Sequence, residues 1–212
     1  MKQGQLAVIS GFSGVGKGTV IRELIRRNPE YHYSVSATTR APRPGEVDGR
    51  EYFFLTQEEF DAWEAAGAFL EHARYASKCY GTPREYVRRQ REMGFHVVMD
   101  IETDGAFQVK RSCPDAILIL LIPPSAADLK ERLVGRGTEN REQVIARLLK
   151  AQAESKLAER YDWLVINDDV ERCAQVIHRI VNGCGRPEED RATCLEIVKQ
   201  ISLDLPKILK SL

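Results

Sequence analysis

A glycine-rich segment near the start of the chain has the spacing of a phosphate-binding loop. It reads Gly11-Phe-Ser-Gly-Val-Gly-Lys17-Gly-Thr19, follows the apolar run Leu6-Ala-Val-Ile9 and precedes a helix-like segment from Thr19 to Arg27. Between a strand and a helix, such glycines let successive backbone N–H groups converge on one anion, and the lysine reaches its terminal phosphates. The positive end of the helix dipole adds to this attraction. The segment predicts a nucleoside triphosphate site; the alternative is a glycine-rich turn that binds nothing.

The residue after the lysine departs from the common pattern. Gly18 stands where Ser or Thr is usual, and the first hydroxyl follows on Thr19. In such loops the hydroxyl after the lysine contacts Mg²⁺. Which hydroxyl, if any, touches Mg²⁺ in this chain is therefore an open question.

A second cluster has the composition of a phosphate clamp. It reads Ser36-Ala-Thr-Thr-Arg40-Ala-Pro-Arg43-Pro-Gly-Glu46 and is followed by Tyr52. Two arginines three residues apart, in a loop stiffened by prolines, can grip one phosphate through forked hydrogen bonds. The alternative is a solvated basic loop.

Two acids, Asp100 and Glu102, follow the apolar run Phe95–Met99. An acid at the carboxyl end of a buried parallel strand lies beside the phosphate loop, where it can hold Mg²⁺ through water. The alternative is a helix N-cap, a position where Asp is common. Both interpretations can hold for one of the two acids.

Several arginines surround the segment Val134-Gly-Arg-Gly-Thr-Glu-Asn140, which we interpret as a mobile lid. They are Arg132, Arg136, Arg141 and Arg147. Closing arginines stabilise the negative charge of a transferring phosphoryl group and exclude water. Arg136 is the most suggestive because a glycine lies on each side of it, although arginines on exposed helices are usually just solvated.

The elements that must position these clusters alternate between strand and helix patterns. Apolar runs of strand length lie at Leu6–Ile9, Phe95–Met99, Ile117–Ile122 and Trp163–Ile166. Segments with helical spacing separate them, which predicts a parallel sheet buried on both faces. Helix starts are marked by Ser125-x-x-Asp128, by Asn140-x-x-Gln143 and by Thr82-Pro83, with proline at the first helical position. Gly94 is placed to end the last of these helices.

The region from about Ser34 to Tyr80 breaks this alternation. It contains Tyr52-Phe-Phe-Leu55, a capping box at Thr56-x-x-Glu59 and the run Phe69–Tyr75. We interpret it as an inserted β-rich lobe that folds over the ligand side of the sheet.

Composition narrows the class of protein. The 212 residues suit one α/β domain, and Lys+Arg equals Asp+Glu at 31 each, so no net field favours nucleic acid or membrane partners. The five cysteines are scattered without C-x-x-C spacing, which favours reduced thiols over disulfide or zinc frameworks. No signal-peptide pattern or membrane-length apolar run is present, and we expect a cytoplasmic protein.

Taken in order, these clusters closely resemble the guanylate kinase family, which transfers phosphate from ATP to GMP. The resemblance spans about Gln5 to Asn182 and rests on six motifs. They are Ser34-Val-Ser-Ala-Thr-Thr-Arg-Ala-Pro-Arg-Pro-Gly-Glu46, Gly49-Arg-Glu-Tyr52-Phe-Phe, Tyr80-Gly-Thr-Pro83, Pro123-Pro-Ser125, Arg132-Leu-Val-Gly-Arg-Gly-Thr-Glu139 and Val165-Ile-Asn-Asp168. The resemblance implies an α/β P-loop nucleoside monophosphate kinase fold with a parallel sheet core flanked by helices. It also implies a domain over 1–182, with a GMP-binding lobe at about 34–82 and a helical lid at about 132–150, followed by a helical extension over 183–212.

The resemblance further implies roles for matching residues. ATP would be bound by Gly11, Ser13, Gly14, Val15, Gly16, Lys17, Gly18, Thr19, Arg132, Arg136 and Asn167. GMP would be bound by Ser36, Arg40, Arg43, Glu46, Tyr52, Glu71, Tyr80, Thr82, Asp100 and Glu102. Of these, Ser36, Glu71, Thr82 and Glu102 would read the guanine. Catalysis would rest on Lys17, Arg40, Arg136 and Arg147, and Mg²⁺ would accompany ATP near Thr19 and, through water, Asp100.

Glu71 suits guanine chemically. A carboxylate can accept hydrogen bonds from both N1–H and the 2-amino group, and adenine offers no such pair. Buried polar readout of this kind discriminates strongly because the wrong base leaves groups unpaired. A hydroxyl such as Thr82 can donate to O6.

The resemblance has departures and alternatives. Phe12 stands where the family often has Pro, and Asp104 replaces a usual Gln. A peptide-binding scaffold domain of the same fold typically has a degraded phosphate loop, whereas this loop is intact. A kinase of phosphorylated sugars is disfavoured by the retained base-reading residues.

The tail beyond about Gly183 has an amphipathic stripe. Its members are Val198, Ile201, Leu205, Ile208 and Leu212. Because Pro206 should interrupt a helix, the pattern predicts two short helices joined near Asp204. We expect the stripe to pack on the chain's own surface rather than on a second subunit.

Overall fold

The computed structural model describes residues 3–135, 140–184 and 190–211. Its strands are β1 (Leu6–Gly11), β2 (Tyr31–Tyr33), β3 (Ser36–Thr38), β4 (Tyr52–Phe54), β5 (Phe69–Tyr75), β6 (Lys78–Pro83), β7 (His96–Asp100), β8 (Ile117–Ile122) and β9 (Trp163–Ile166). Its α-helices are α1 (Lys17–Arg27), α2 (Gln57–Ala65), α3 (Arg84–Glu92), α4 (Thr103–Ser112), α5 (Ala126–Val134), α6 (Arg141–Ser155), α7 (Val170–Val181) and α8 (Arg191–Lys210). A short 3₁₀ helix spans Ala158–Arg160.

The core is a five-stranded parallel sheet in the order β2-β7-β1-β8-β9. Every residue of β1 is buried, as are five of the six residues of β8, because helices cover both faces. The four apolar runs of the sequence form four of these strands. Strand β2 was not predicted, since three residues at a sheet edge leave little pattern to detect. Strand β1 lies at the centre, so the loop after it opens at the middle of the sheet's carboxyl edge.

A second sheet is inserted in the chain between β2 and β7. It has the order β4-β3-β6-β5 and carries α2, and we call this unit the inserted lobe. A separate small core of Ala37, Phe60, Phe69 and Cys79 holds it together. The interpretation of this region as a β-rich insert is confirmed.

The helix caps are mostly as the sequence indicates. Thr56 and Asn140 both form capping boxes, and the Ser125 side chain accepts a hydrogen bond from the Asp128 amide. Pro83 is the exception: it ends β6 as the N-cap residue, and α3 begins one residue later than predicted. Thr82 is thus free of any capping role and belongs to the inserted sheet.

The tail corrects the prediction of two short helices. Helix α8 runs unbroken from Arg191 to Lys210 with Pro206 inside it. Proline in a helix costs about 3 kcal/mol, but buried apolar side chains contribute about 1.5–3 kcal/mol each. Leu205 is fully buried, and Ile208 and Leu209 pack on the core beyond the proline. Packing on both sides of Pro206 therefore holds the helix in one piece.

Helix α8 lies against α5, α6 and β9, so the stripe residues Val198, Ile201, Leu205 and Ile208 pack on their own chain as expected. The last member of the predicted stripe, Leu212, lies outside the described residues. Arg191 fixes its first turn by donating to the carbonyl oxygens of Glu159, Tyr161 and Asp162 at 2.8–3.2 Å. The extension thus completes the core beside the helices that flank the lid segment.

We expect Leu205→Ala to destabilise the protein strongly. Leu205 is 0% exposed, whereas Leu203 on the same helix is 56% exposed and provides a matched control. Removing a buried leucine costs about 2–5 kcal/mol, which lowers Tm by roughly 5–15 °C in a domain of this size. Thermal unfolding of both variants measures the difference. Equal melting of Leu205→Ala and Leu203→Ala would show that α8 does not belong to the cooperative core.

Candidate active site

The loop Gly11–Thr19, called the phosphate loop below, has the conformation of an anion cradle. Gly14 and Gly16 have φ of 94° and 96°, a region that side chains disfavour. A tight turn closes between them and β1, with the Val15 amide donating to the Phe12 carbonyl at 2.8 Å. Helix α1 then starts at Lys17, where the Thr19 and Val20 amides donate to the Gly16 carbonyl oxygen at 3.0 and 3.3 Å, and the positive end of its dipole lies at the loop. The predicted strand, loop and helix are confirmed.

Lys17 and Asp100 meet at the carboxyl edge of the central sheet. Strands β1 and β7 are parallel neighbours with Ile9 opposite Asp100. This pairing brings the Asp100 carboxylate to 2.9 Å from Lys17 Nζ, with about a fifth of each side chain exposed. The expectation that an acid here lies beside the phosphate loop is confirmed.

Arg132 and Asn167 lie against the phosphate loop and bind its backbone. Arg132 Nη1 and Asn167 Nδ2 donate to the Val15 carbonyl oxygen at 3.0 and 2.7 Å, and Arg132 Nη2 donates to the Asn167 carbonyl oxygen at 2.7 Å. The two side chains therefore fix the shape of the loop. Beside them lies a cleft of about 610 Å³, which is large enough for a nucleoside.

A second cleft, of about 710 Å³, lies on the other side of the phosphate loop. It is lined by cations from two helices: Lys17 and Arg22 of α1, and Arg147 and Lys150 of α6. Tyr75 of the inserted lobe also lines it, so the loop and the lobe share this space. The structure thus brings Arg147 to this cleft, while Arg136 lies outside the described residues.

The predicted magnesium donors are both near the phosphate loop, in different settings. Thr19 is exposed on the first turn of α1, and its hydroxyl accepts a hydrogen bond from Arg22 at 3.2 Å. Asp100 is held by Lys17. In the described part of the chain, no three His, Cys, Asp or Glu side chains gather as a metal cage. Hydroxyl and carboxylate oxygens still suit Mg²⁺, which usually takes one or two protein carboxylates together with substrate phosphates and water.

In the arginine cluster, Glu46 holds the loop in place. Its carboxylate accepts from the Arg43 amide at 2.7 Å and from Arg40 Nη2 at 2.9 Å. These bonds, with the Arg43 amide first, hold the pKa of Glu46 below its usual range. Arg40 lies over the Tyr52 ring at 5.3 Å, and Tyr52 contacts Tyr80 edge-on. The structure therefore unites Arg40, Tyr52 and Tyr80 on one surface, while the Arg43 side chain is exposed in the adjoining loop.

Three of the four predicted base-reading residues, Ser36, Thr82 and Glu71, form a row across the inserted sheet. Ala37 pairs with Gly81, which places Ser36 beside Thr82, and Thr82 lies beside Glu71 on the next strand. The Thr82 hydroxyl donates to Glu71 Oε1 at 2.7 Å, and both residues are buried. Since that hydroxyl has one proton, Thr82 orients Glu71 and cannot donate to a base oxygen at the same time.

Burial raises the pKa of Glu71 above its ordinary value of 4.5, although the Thr82 hydroxyl opposes the shift. The ionised carboxylate therefore costs stability in the empty protein. That cost is absent below pH 4.5 and grows as the pH rises through the raised pKa.

From this sign we predict that Glu71→Gln is more stable than the wild type at pH 8. The amide keeps the acceptor for Thr82 but carries no charge to bury. The Tm difference should shrink on acidification and vanish below pH 4.5. Melting curves of both proteins from pH 4 to pH 8 test this, and a difference independent of pH would contradict it.

Glu102 occupies the N-cap position of α4, but its side chain makes no cap hydrogen bond. Instead it forms an ion pair with Lys150 of α6. Glu102 therefore stands at the N-cap position, as the alternative interpretation expected, but its side chain does not cap the helix. Asp104 is exposed in the first turn of α4, where a negative charge complements the helix dipole.

Two supporting residues escaped prediction. The Gln108 side chain of α4 accepts a hydrogen bond from the His72 amide and donates one to the His72 carbonyl oxygen, each at 3.1 Å. These two bonds connect α4 to β5 next to Glu71. Glu154 of α6 accepts from the Ser13 amide at 2.7 Å. The spacing of Arg147, Lys150 and Glu154 along α6 places the three residues on one helix face. This spacing is the sequence signal that could have indicated Glu154 as a supporting residue.

A phosphate loop at the centre of a parallel sheet, facing an inserted lobe that carries a second polar site, defines a P-loop nucleoside monophosphate kinase. A family model described as guanylate kinase matches residues 3–183. The chain belongs to the guanylate kinase family. Members are ATP:GMP phosphotransferases, so the activity is transfer of a phosphoryl group from ATP to GMP. Helix α8 lies beyond the matched residues.

Individual relatives agree with this assignment. The guanylate kinase of Trichormus variabilis is 48% identical over 180 residues, which cover 85% of this chain and 90% of the relative. That of Rubrobacter xylanophilus is 46% identical over 187 residues, covering 86% and 98%. The crystal structure of guanylate kinase from Anaplasma phagocytophilum is similar with a TM-score of 0.64 at 29% identity, covering 100% of this chain and 96% of that one.

In the described ranges, none of the helices has the length and apolar character that crossing a membrane requires.

Proposed function

We propose that this chain transfers the γ-phosphoryl group of ATP to GMP at a site divided between the phosphate loop and the inserted lobe. The observation that supports this best is the presence of two different polar chemistries, one on the phosphate loop and one on the inserted lobe. Lys17 and the loop amides suit a polyphosphate, and the buried Glu71 carboxylate suits a purine with two adjacent N–H donors. Tyr75 of the lobe lines the same cleft as the loop, so the two nucleotides would face each other.

On the donor side, the residues Gly11 to Thr19 cradle the ATP phosphates. Arg132 and Asn167 support the loop indirectly, because both donate to the Val15 carbonyl oxygen. The adenosine lies in the cleft beside these two residues. Lys17 exchanges its partner Asp100 for phosphate oxygens. Each of these contacts positions the triphosphate without forming a covalent bond to the protein.

On the acceptor side, Arg40, Tyr52 and Tyr80 bind the GMP phosphate, and Arg43 joins them from the adjoining loop. Glu46 supports the arginines, because a carboxylate in direct contact would repel the phosphate. Glu71 receives N1–H and the 2-amino group of the guanine. Ser36 and Glu102 would contact the remaining edges of the base.

The transfer is an in-line displacement. A GMP phosphate oxygen attacks the γ-phosphorus, the bond from that phosphorus to the β–γ bridging oxygen breaks, and ADP leaves with that electron pair. Lys17, Arg40 and Arg147 stabilise the charge on the moving group. Arg136 has the same predicted role and lies outside the described residues.

Mg²⁺ is the cofactor that we infer with ATP, and it would neutralise charge on the β- and γ-phosphates. Thr19 would offer its hydroxyl, and Asp100 would act through water. Asp100 is free to do so once Lys17 has turned to the phosphates.

We further propose a guanylate kinase domain over 1–182 and a C-terminal extension over 183–212. The lobe over about 34–82 closes on GMP, and the lid over about 132–150 closes on the phosphates. We place the protein in the cytoplasm, with small nucleotides rather than nucleic acid or membrane as partners.

The test is a coupled assay of ADP release with ATP as donor and a panel of acceptors. GMP should be turned over well above AMP, UMP and CMP, with GDP as the product. Comparable turnover of AMP would contradict base reading by Glu71. Turnover of a phosphorylated sugar instead would favour the sugar-kinase alternative, and no turnover with retained nucleotide binding would favour a scaffold domain.

A further inference from the structure

A buried carboxylate on α6 contacts the phosphate loop from behind. Glu154 is 6% exposed, and its Oε2 accepts the Ser13 amide at 2.7 Å. The two residues are 141 positions apart in the chain, so the bond joins elements that the fold alone brings together. It is a direct hydrogen bond from α6 to this loop.

Keeping a carboxylate there is unfavourable on two counts. Burial raises the pKa of Glu154, although the Ser13 amide, Lys150 and Lys17 oppose the shift. A negative charge beside a polyphosphate site also repels the ligand that the loop binds. An apolar side chain would avoid both costs, so stability by itself does not explain the residue.

The position of Glu154 on its helix suggests what it does. Arg147, Lys150 and Glu154 follow one another at spacings of three and four, on one face of α6, and all three line the cleft beside the phosphate loop. With a rise of about 1.5 Å per residue, Arg147 lies roughly 10 Å along the axis from the anchored end. Pinning Glu154 to Ser13 therefore fixes the distance from the loop to the Arg147 guanidinium.

We propose that Glu154 is a positioning residue for phosphoryl transfer, whose hydrogen bond to the Ser13 amide keeps α6 and the phosphate loop in register. Arg147 then meets the transferring group at the right place. The proposal rests on the proposed function, because it takes Arg147 and the loop to act on the same triphosphate. A misplacement of about 1 Å in such a site can cost on the order of 100-fold in rate.

Three substitutions separate hydrogen bonding from charge. Glu154→Gln keeps an oxygen that can accept the Ser13 amide, Glu154→Asp keeps the charge but is one methylene shorter, and Glu154→Ala removes both. Glu196→Ala on α8, at an exposed surface position, is the control for loss of a helical glutamate. For each protein we would measure kcat, the KM for ATP and for GMP, Tm and the ¹H shift of the Ser13 amide.

We expect Glu154→Ala to lower kcat by about 10- to 100-fold, with the KM for GMP within threefold of the wild type. Glu154→Asp should be similarly impaired, and Glu154→Gln should recover most of the loss. The Ser13 amide should move upfield in the Ala and Asp variants only.

The proposal is wrong if Glu154→Ala keeps kcat within twofold, or if Glu154→Gln falls as far as Glu154→Ala. Should the alanine variant fail to fold, the comparison of Gln with Asp decides, since an active Asp variant with an inactive Gln variant would contradict a positioning role. Wild-type protein that makes no GDP would overturn the proposed function instead, so the two failures are distinguishable.

Discussion

Lys17→Ala should lower kcat/KM for GDP formation by about 100- to 1,000-fold, the usual cost of removing one preorganised electrostatic group. Lys17 is the ammonium that the phosphate loop itself carries, and it lies at the edge of the cleft where the phosphates meet. Its removal also leaves Asp100, now 2.9 Å from it, as an uncompensated negative charge next to the triphosphate. The two effects act in the same direction.

The fold should survive this change. Partly exposed ion pairs contribute about 0–1 kcal/mol, so the Tm of Lys17→Ala should fall by no more than about 4 °C. Lys199→Ala is the matched control, because Lys199 is 68% exposed on α8 and pairs only with a neighbouring glutamate in the described structure. Steady-state kinetics and a melting curve on both variants are required. Full activity of Lys17→Ala would exclude the loop as the donor site.

Glu71→Gln should abolish the preference for guanine. A carboxylate accepts two N–H donors of the base, whereas an amide presents one acceptor and one donor. Hydrogen bonds to charged groups contribute about 1.5–3 kcal/mol each, and both are affected here, because one base N–H would face an amide N–H and the other would lose its charged acceptor. We therefore expect kcat/KM for GMP to fall by about 100- to 10,000-fold. The low kcat/KM for AMP should change little, so the ratio of kcat/KM for GMP to that for AMP should fall by a similar factor.

Stability and activity should move in opposite directions in this variant. The wild-type carboxylate is buried with a raised pKa, so its replacement by an uncharged isostere relieves a cost in the empty protein. If Glu71→Gln has a higher Tm than the wild type but a weaker preference for GMP over AMP, the loss of activity comes from base recognition and not from impaired folding. Thr82→Val is the companion, since it removes the hydroxyl that orients Glu71 and should show a smaller loss of the same kind. If Glu71→Gln retained the wild-type ratio of GMP to AMP, the base would be read elsewhere.

Features governed by local backbone chemistry could be read from the sequence. The phosphate loop is one, because Gly14 and Gly16 occupy conformations that few other residues tolerate. The capping boxes at Thr56 and Asn140 are others, since both partners lie three residues apart in the chain. The base-reading residues were predicted from the family resemblance and not from local chemistry. The register of the strands in the structure brings two of them, Thr82 and Glu71, into contact.

Features governed by distant contacts could not be read in this way. The family resemblance implies that Asn167 binds ATP, but only the fold shows that its amide also donates to the Val15 carbonyl oxygen, 152 residues away. Glu154 looks like an ordinary acidic residue on a helix until the fold buries it against Ser13. Pro206 breaks helices by local rules, and only the packing of Leu205, Ile208 and Leu209 reverses that outcome.

The most direct test of a two-nucleotide site is calorimetry with a ligand that joins adenosine and guanosine through a polyphosphate chain. Linking two half-ligands raises affinity only if both halves bind at once. We expect wild-type protein to bind it at least 100-fold more tightly than either ATP or GMP, by the usual gain from linkage. Lys17→Ala and Glu71→Gln should each remove most of that gain. A linked ligand that binds no better than ATP, or whose affinity ignores Glu71→Gln, would contradict the assignment of the phosphate loop and the inserted lobe to one shared site.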